Sequence, residues 1–213
     1  MTKETMRVHS ALAELKMLEE RINKIIRNTT WVVANKHSNT KIDGKDVSTW
    51  VKEKKEELQK LNDLIKRREA IKKAVMKSNA VTTVIIAGET YTVAEAIERK
   101  NNGIEFLKSI VNSIANDIKN ATMSANAANG DRLETRADEH VRIMLGTFDT
   151  KNLSEEAKKL RREFVEAQTT EIIDPIEAYS LVKDLEEEIS QFLMEVDGKL
   201  SVSNATTEIE IEY

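Results

Sequence analysis

The chain has 213 residues, of which 40% are hydrophobic, 33% charged and 4% aromatic, with 6 Gly and 1 Pro. This composition predicts a mainly α protein with long helices and an aliphatic core. The lack of Cys excludes disulfides and thiolate metal sites, and the net charge of −4 argues against non-specific nucleic-acid binding. No stretch resembles a signal peptide or a membrane span, so we expect a cytoplasmic protein with no membrane contact.

A helical hairpin is predicted over residues 5–77. Its two helices, 5–27 and 46–77, carry apolar residues every three or four positions and charged residues elsewhere. We expect them to pack antiparallel along a coiled-coil-like seam. The apolar stripes include Leu12, Leu18, Ile22, Leu58, Leu61, Ile71 and Val75.

The polar connection between these helices contains Trp31-Val32-Val33, which we expect to tuck into the core as a short extended segment. Trp31 and Trp50 have two interpretations that the sequence leaves open. Either ring could stack on a base, or both could be the largest side chains of an aromatic-poor core.

A short phrase occurs twice, each time behind a long helix: Ser78-Asn79-Ala80 recurs as Ser203-Asn204-Ala205. Asn tolerates the left-handed conformation that ends helices, so a structural interpretation makes the phrase a helix stop before a strand. A functional interpretation brings the two Asn amides and the neighbouring hydroxyls together on a polar ligand.

Strands are predicted at 82–87, 90–92 and 206–213. The first two would form a hairpin with a tight turn at Gly88-Glu89, and the third alternates Glu with apolar residues. Because Val84-Ile85-Ile86 is apolar on both faces, we expect one sheet of about three strands with 82–87 at its centre.

Further helices are predicted at 93–120, 131–145, 154–170 and 175–200. Thr92 and Glu95 form a capping box, and Ser154 is the N-cap of the third of these helices. The segment Asp174-Pro175-Ile176-Glu177 has the residues of a strong helix start. A loop or a loosely wound stretch is predicted over 119–131, and all of these elements are expected to form a single domain, 1–213.

No catalytic constellation is evident, because His9, His37 and His140 lie far apart and no metal-ligand spacing occurs. We therefore expect neither an enzyme nor a cofactor. A basic cluster late in the second helix contains Lys66-Arg67-Arg68 with Lys72 and Lys73. It is either a solvated face or part of a phosphate site with Arg99 and Lys100 of the next helix. The candidate ligand-binding residues are Arg67, Arg68, Asn79, Thr82, Tyr91, Arg99, Lys100 and Asn204.

Two segments carry a family resemblance: Tyr91-Thr-Val-Ala-Glu-Ala-Ile-Glu-Arg99, and Val196-Asp-Gly-Lys-Leu-Ser-Val-Ser-Asn-Ala-Thr-Thr-Glu-Ile-Glu-Ile211. With them the chain resembles septicolysin-like proteins of Gram-positive bacteria and their phages. The resemblance implies a phage or prophage origin and brings no catalytic motif. The cytolytic activity in the family's name is not expected here, because the chain has no thiol and no membrane-active segment.

Two functions are therefore expected. The first is a non-enzymatic phage protein, a homo-oligomer that sequesters a nucleotide-derived immune signal in the host cytoplasm. The alternative is a structural, assembly or adaptor protein of a phage particle.

Overall fold

The computed structural model describes residues 3–146 and 154–213, and over these residues the protein is mainly α, as predicted. In chain order, its elements are β1 (Lys3–Arg7), α1 (Val8–Asn28), β2 (Lys41–Ile42), β3 (Lys45–Asp46), α2 (Val47–Val81), β4 (Thr83–Ile86), β5 (Glu89–Thr92), α3 (Val93–Glu98), a π-helix (Arg99–Gly103), α4 (Ile104–Asn129), α5 (Asp131–Leu145), α6 (Glu155–Gln168), α7 (Ala178–Thr206) and β6 (Glu208–Glu212).

The chain divides into two compact units. Unit 1 contains residues 1–102 and 191–213, and unit 2 contains residues 103–190. The long helix α7 therefore contributes its first residues to unit 2 and its last residues to unit 1. The single domain predicted over 1–213 stays a prediction.

The predicted helical hairpin forms the larger part of unit 1, where α1 packs antiparallel against α2. Leu12 and Leu58, predicted on the apolar stripes, are exposed instead. The buried stripe of α1 consists of Val8, Ala11, Leu18 and Ile22, which leaves Leu12 outside it. The main hydrophobic cluster of this unit joins the two helices to the strands β1 and β6. Its buried members are Val8, Ala11, Leu18, Ile71, Val75, Ile209 and Ile211.

The connection between α1 and α2 does not enter the core. Val32 is 86% exposed, so the prediction that it tucks inward was wrong. The connection ends in a small hairpin, β2–β3, whose turn residues Asp43 and Gly44 have φ angles of 49° and 80°. Positive φ at both turn residues is the geometry that Asp-Gly favours in two-residue hairpins.

The strands form three two-stranded sheets among the described residues, so the single three-stranded sheet was wrong. The hairpin β4–β5 is present, but its turn is Ala87-Gly88, with φ angles of 49° and 82°, rather than Gly88-Glu89. Strand β6 pairs with β1 instead of β4, from Lys3 opposite Glu212 to Arg7 opposite Glu208.

The predicted central position of β4 was therefore wrong as well, and Ile85 is 58% exposed. The alternation predicted for the C-terminal strand is confirmed, with Ile209 and Ile211 buried and the three Glu residues exposed. The pairing of β1 with β6 was not predicted, because the sequence pattern places residues 5–7 in the first helix.

The Ser-Asn-Ala phrase does not stop the helices. Helix α2 continues past Asn79 to Val81, and α7 continues past Asn204 to Thr206. In both copies the Thr that follows the helix makes the last hydrogen bond at its C-terminal end. The N–H of Thr82 donates to the Ser78 carbonyl, and that of Thr207 to the Ser203 carbonyl, each at 2.9 Å.

The repeat extends beyond this phrase. Val93 at the start of α3 donates its N–H to the Thr82 carbonyl at 2.8 Å, and Val8 at the start of α1 donates to the Thr207 carbonyl at 2.9 Å. Each copy thus has a long helix, a strand, an antiparallel strand and a second helix. The equivalent buried pairs are Val8 and Val93, Ala11 and Ala96, Ile71 and Val196, Val84 and Ile209, and Ile86 and Ile211.

This equivalence shows that unit 1 holds the same arrangement twice. One copy is continuous through the β4–β5 turn. The other is closed by pairing the first and last strands of the chain.

In unit 2, helix α4 runs through the segment predicted as a loop over 119–131 and ends at Asn129. Ala has the highest helix propensity, and this segment is rich in it, which outweighs its Asn and Ser residues. Helices α5 and α6 confirm the predictions at 131–145 and 154–170, and Arg161 of α6 pairs with Asp138 of α5 at 2.7 Å and with Glu134.

The helix caps agree with the sequence at two of three places. The Thr92–Glu95 capping box is formed, and Ser154 accepts a hydrogen bond from the Ala157 N–H. The Asp174 carboxylate also accepts from backbone N–H groups, but α7 begins only at Ala178. Glu177 has a φ of 53°, outside the helical region, so the helix start predicted at residue 175 was wrong.

Candidate functional site

Arg67 of α2 lies at the centre of a polar cluster that ties three elements together. Its guanidinium donates to the carboxylate of Glu4 in β1 at 3.0 Å, to that of Glu14 in α1 at 3.1 Å, and to the Tyr213 hydroxyl. The guanidinium carbon lies 4.8 Å from the centre of the Tyr213 ring. The hydrogen bonds to Glu14 are the main cause of a pKa for Arg67 above its ordinary value.

The neighbouring Arg68 makes a simpler contact. It pairs with Glu19 of α1 at 2.8 Å, and the side chain of Arg68 is partly exposed while that of Glu19 is exposed. Arg67 and Arg68 therefore face carboxylates of α1, which neutralise much of the positive charge that the sequence places in this part of α2.

The candidate residues Tyr91, of β5, and Arg99, of the π-helix, are brought together beside Phe192 of α7. The Arg99 guanidinium lies 5.6 Å from the Tyr91 ring centre and 5.3 Å from that of the buried Phe192. The two rings meet edge to face, with their centres 5.8 Å apart. Lys100, next along the π-helix, pairs with Asp197 of α7 at 2.6 Å. Arg67 and Lys100 thus contact different residues. The phosphate site that would combine the basic cluster of α2 with Arg99 and Lys100 stays a prediction.

Asn79, Asn204 and Thr82 lie at the helix ends of the repeat. Both Asn side chains are half-buried and make no hydrogen bond with the residues that the structure describes. Thr82 uses its backbone N–H and carbonyl in the contacts with Ser78 and Val93, and its hydroxyl lies 3.4 Å from that of Ser78. Their predicted role at a ligand stays a prediction.

An open groove of about 740 Å³ runs along α2 beside the Arg67 cluster. Two cationic side chains, Lys60 and Lys66, line it together with the aromatic ring of Tyr213. Neither Lys makes an ion pair or hydrogen bond within residues 3–146 and 154–213. The lining residues are Glu56, Gln59, Lys60, Asp63, Leu64, Lys66, Arg67 and Tyr213.

Sequence reasoning identified part of this groove. Lys66 and Arg67 belong to the predicted basic cluster, whereas Lys60 and Tyr213 were missed. Lys60 is two helical turns before Arg67 on the same face of α2, so helical spacing alone could have added it. Tyr213 reaches the groove only because β6 pairs with β1, which sequence spacing does not reveal.

No three His, Asp or Glu side chains among the residues that the structure describes lie close enough to hold a metal ion. His140 stacks on Phe164, with ring centres 4.5 Å apart. Among the same residues, no helix combines the length and apolar character needed to cross a bilayer.

Comparison with protein-family models, with curated proteins and with solved structures found no match for this chain. The resemblance to septicolysin-like proteins therefore stays a prediction, and the functional argument rests on the groove and its residues.

Proposed function

We propose that the protein is a non-enzymatic binding protein that sequesters a nucleotide-derived small molecule. The observation that carries the proposal is the groove along α2, which is lined by Lys60, Lys66 and the ring of Tyr213. A nucleotide combines phosphates with a planar base, and this groove offers ammonium groups for the first and an aromatic face for the second.

The size of the groove is compatible with such a ligand, since pockets for drug-sized molecules have about 300–1,000 Å³ and this one has about 740 Å³. Arg67 supports the site indirectly. Its contacts with Glu4 and Glu14 fix the guanidinium, and the guanidinium lies against Tyr213. A ring that is already held in place loses less conformational freedom when a ligand stacks on it.

The biological setting is part of the same proposal. The resemblance to septicolysin-like proteins supports a phage or prophage protein acting in the host cytoplasm, where a nucleotide-derived immune signal is a natural target for sequestration. Many large apolar side chains are exposed, Val32, Phe106, Ile143, Ile173 and Met194 among them, and these support a homo-oligomer.

The test is a thermal-melting screen of the full chain against cyclic and ADP-ribose-type nucleotides. A ligand present at a hundred times its Kd adds about 2.7 kcal/mol to the free energy of unfolding, which is a visible shift. The double variant Lys60→Ala/Lys66→Ala should lose the shift. The matched control is Lys55→Ala/Lys72→Ala, which removes two exposed Lys of the same helix that do not line the groove.

The recovered ligand decides between binding and catalysis. Intact nucleotide after denaturation of the complex supports sequestration, whereas a converted nucleotide would identify an enzyme and overturn the proposal. A screen in which no nucleotide raises the melting temperature would also overturn the proposal. Arg67 is not a useful variant for this test, because its loss also removes contacts within the fold.

A second candidate is a structural, assembly or adaptor role in a phage particle. The exposed apolar side chains favour it as well, since binding to other proteins would cover them. Mass spectrometry of purified particles would find the protein in stoichiometric amount if this role is right. Its absence from particles would leave the sequestering function.

A further inference from the structure

Unit 2 contains a cavity of about 250 Å³ that the proposed function does not use. One wall is α4 and the other is the segment before α7 together with the first turn of that helix. The walls are mainly apolar: Ile114, Ile118, Ala121, Ile172, Ile173, Pro175, Ile176, Ala178 and Tyr179.

The segment that forms the second wall is held at both ends. The side chain of Asn129 donates to the Thr170 carbonyl and accepts from the Thr170 N–H, each at 2.7 Å. At the other end, the Asp174 carboxylate accepts from the N–H groups of Ile176 at 3.2 Å and Ala178 at 2.8 Å. The cavity is thus defined before any ligand arrives, which lowers the entropic cost of binding.

The apolar wall is left in contact with water. Ile173 is 81% exposed, and Ile172, Ile176 and Tyr179 are also exposed. Covering apolar surface gains roughly 25 cal/mol per Å², so an apolar molecule that fills the cavity would be stabilised there.

The charge of the cavity selects among apolar molecules. Asp117 and Asp174 are its charged lining residues, and it is lined by no Lys, Arg or His. The oxygens of Asp174 are engaged by the backbone of α7. Asp117 makes no hydrogen bond or ion pair with any residue that the structure describes, so its carboxylate remains available to a bound cation.

Polar groups at the other side of the cavity are weaker partners. The Thr122 hydroxyl donates to the Ile118 carbonyl at 2.7 Å, and it lies 3.5 Å from the Tyr179 hydroxyl. The two hydroxyls can orient a ligand, but neither supplies a formal charge.

We propose that this cavity binds a small organic amine, with its apolar body between the Ile side chains of the two walls and its ammonium group on Asp117. The cavity is smaller than the about 300–1,000 Å³ of pockets for drug-sized ligands, which fits a molecule with a single ring or a short alkyl chain. The site shares no residue with the groove along α2, so a result on the amine proposal does not decide the nucleotide proposal.

The test uses three probes of similar shape: 2-phenylethylamine, the neutral 2-phenylethanol and the anionic 3-phenylpropionate. Binding to the full chain is followed by NMR titration. The amine should bind at least tenfold more tightly than the alcohol, and the carboxylate should bind most weakly. Ile173→Ser should weaken both the amine and the alcohol, and it should fold normally because the side chain is exposed.

Asp117→Asn should abolish the preference for the amine while leaving the binding of the alcohol unchanged. The control is Asp184→Asn, which removes an exposed carboxylate of α7 outside the cavity. Equal binding of amine and alcohol, or a preference that survives Asp117→Asn, would overturn the proposal. Amine binding that is insensitive to Ile173→Ser would also overturn it, since the ammonium would then pair with surface charge alone.

Discussion

Replacing Arg67 by Ala should destabilise unit 1 far more than the same change at Arg68. The two residues are neighbours in α2 and each pairs with a carboxylate of α1, but their surroundings differ. The side chain of Arg67 is 21% exposed and that of Glu14 is 22% exposed, whereas Arg68 and Glu19 are 36% and 59% exposed. Arg67 also holds Glu4 and Tyr213, the residues that bring the two chain ends to α2.

The magnitude follows from burial. Breaking a fully buried ion pair by removing one partner costs about 3–5 kcal/mol, and an exposed pair contributes about 0–1 kcal/mol. The Arg67–Glu14 pair is about four-fifths buried, and Glu14 would be left without its partner. We therefore expect a loss of about 2–3 kcal/mol for Arg67→Ala and about 0–0.5 kcal/mol for Arg68→Ala.

The measurement is the free energy of unfolding in urea, with Tm as a second readout. In a chain of this size, 1 kcal/mol corresponds to about 2–4 °C, so Arg67→Ala should lower Tm by roughly 4–12 °C. A cycle with Glu14→Gln should show a coupling energy that is absent from the Arg68–Glu19 pair. Equal losses at Arg67 and Arg68 would refute the argument that burial sets the strength of these contacts.

Two further predictions concern the repeat in unit 1. The hydrogen bonds from Thr92 lower the pKa of Glu95 below its ordinary value of 4.5. The stability gained from the capping box is therefore present above pH 4.5 and lost as the pH falls through the lowered pKa. In urea unfolding, Glu95→Ala should be less stable than the native chain at pH 7 and match it near pH 2. A circular permutant that joins Tyr213 to the first residue by a short linker and opens the chain between Ala87 and Gly88 should keep the native circular dichroism spectrum and cooperative unfolding, because the paired end strands are equivalent to the β4–β5 hairpin. A permutant opened between Lys72 and Lys73, inside α2, is the matched control that should fail to fold. If neither permutant folds, the equivalence of the β1–β6 pair and the β4–β5 hairpin is contradicted.

The elements that the sequence predicts correctly are those that local residue patterns determine. The helical hairpin, the helices at 131–145 and 154–170 and the capping box at Thr92 follow from periodicity and cap residues, and the structure confirms them. The β2–β3 hairpin was missed although Asp43-Gly44 is a strong turn signal.

Strand pairing between the two chain ends could not be predicted in this way. The residues of β1 also fit the start of a helix, and only their pairing with β6 identifies them as a strand. The candidate site depended on this pairing, since Tyr213 reaches Arg67 through it. The second half of the repeat was nevertheless visible, because Thr5, Val8 and Ala11 have the same spacing as Thr90, Val93 and Ala96.

The two copies of the repeat agree in their cores and differ in their charged residues. Val8 and Ala11 of α1 are matched by Val93 and Ala96 of α3, all of them buried. The shared apolar positions account for the shared backbone, because packing of these side chains fixes how each pair of strands lies on its helices.

Positions next to the core have diverged in chemical character. Arg67 of α2 occupies the position equivalent to Phe192 of α7, and Glu14 of α1 the position equivalent to Arg99 of the π-helix that follows α3. Where α2 meets α1, an Arg therefore lies against a carboxylate, and where the end of α7 meets the π-helix, an Arg lies against an aromatic ring. Since the scaffold tolerates both arrangements, the fold alone does not require either one. The groove beside Arg67 combines Lys60 and Lys66 of one copy with Tyr213 of the other, and the Asn residues that the copies share do not line it. For this reason we place the proposed ligand site at the groove rather than at those Asn residues.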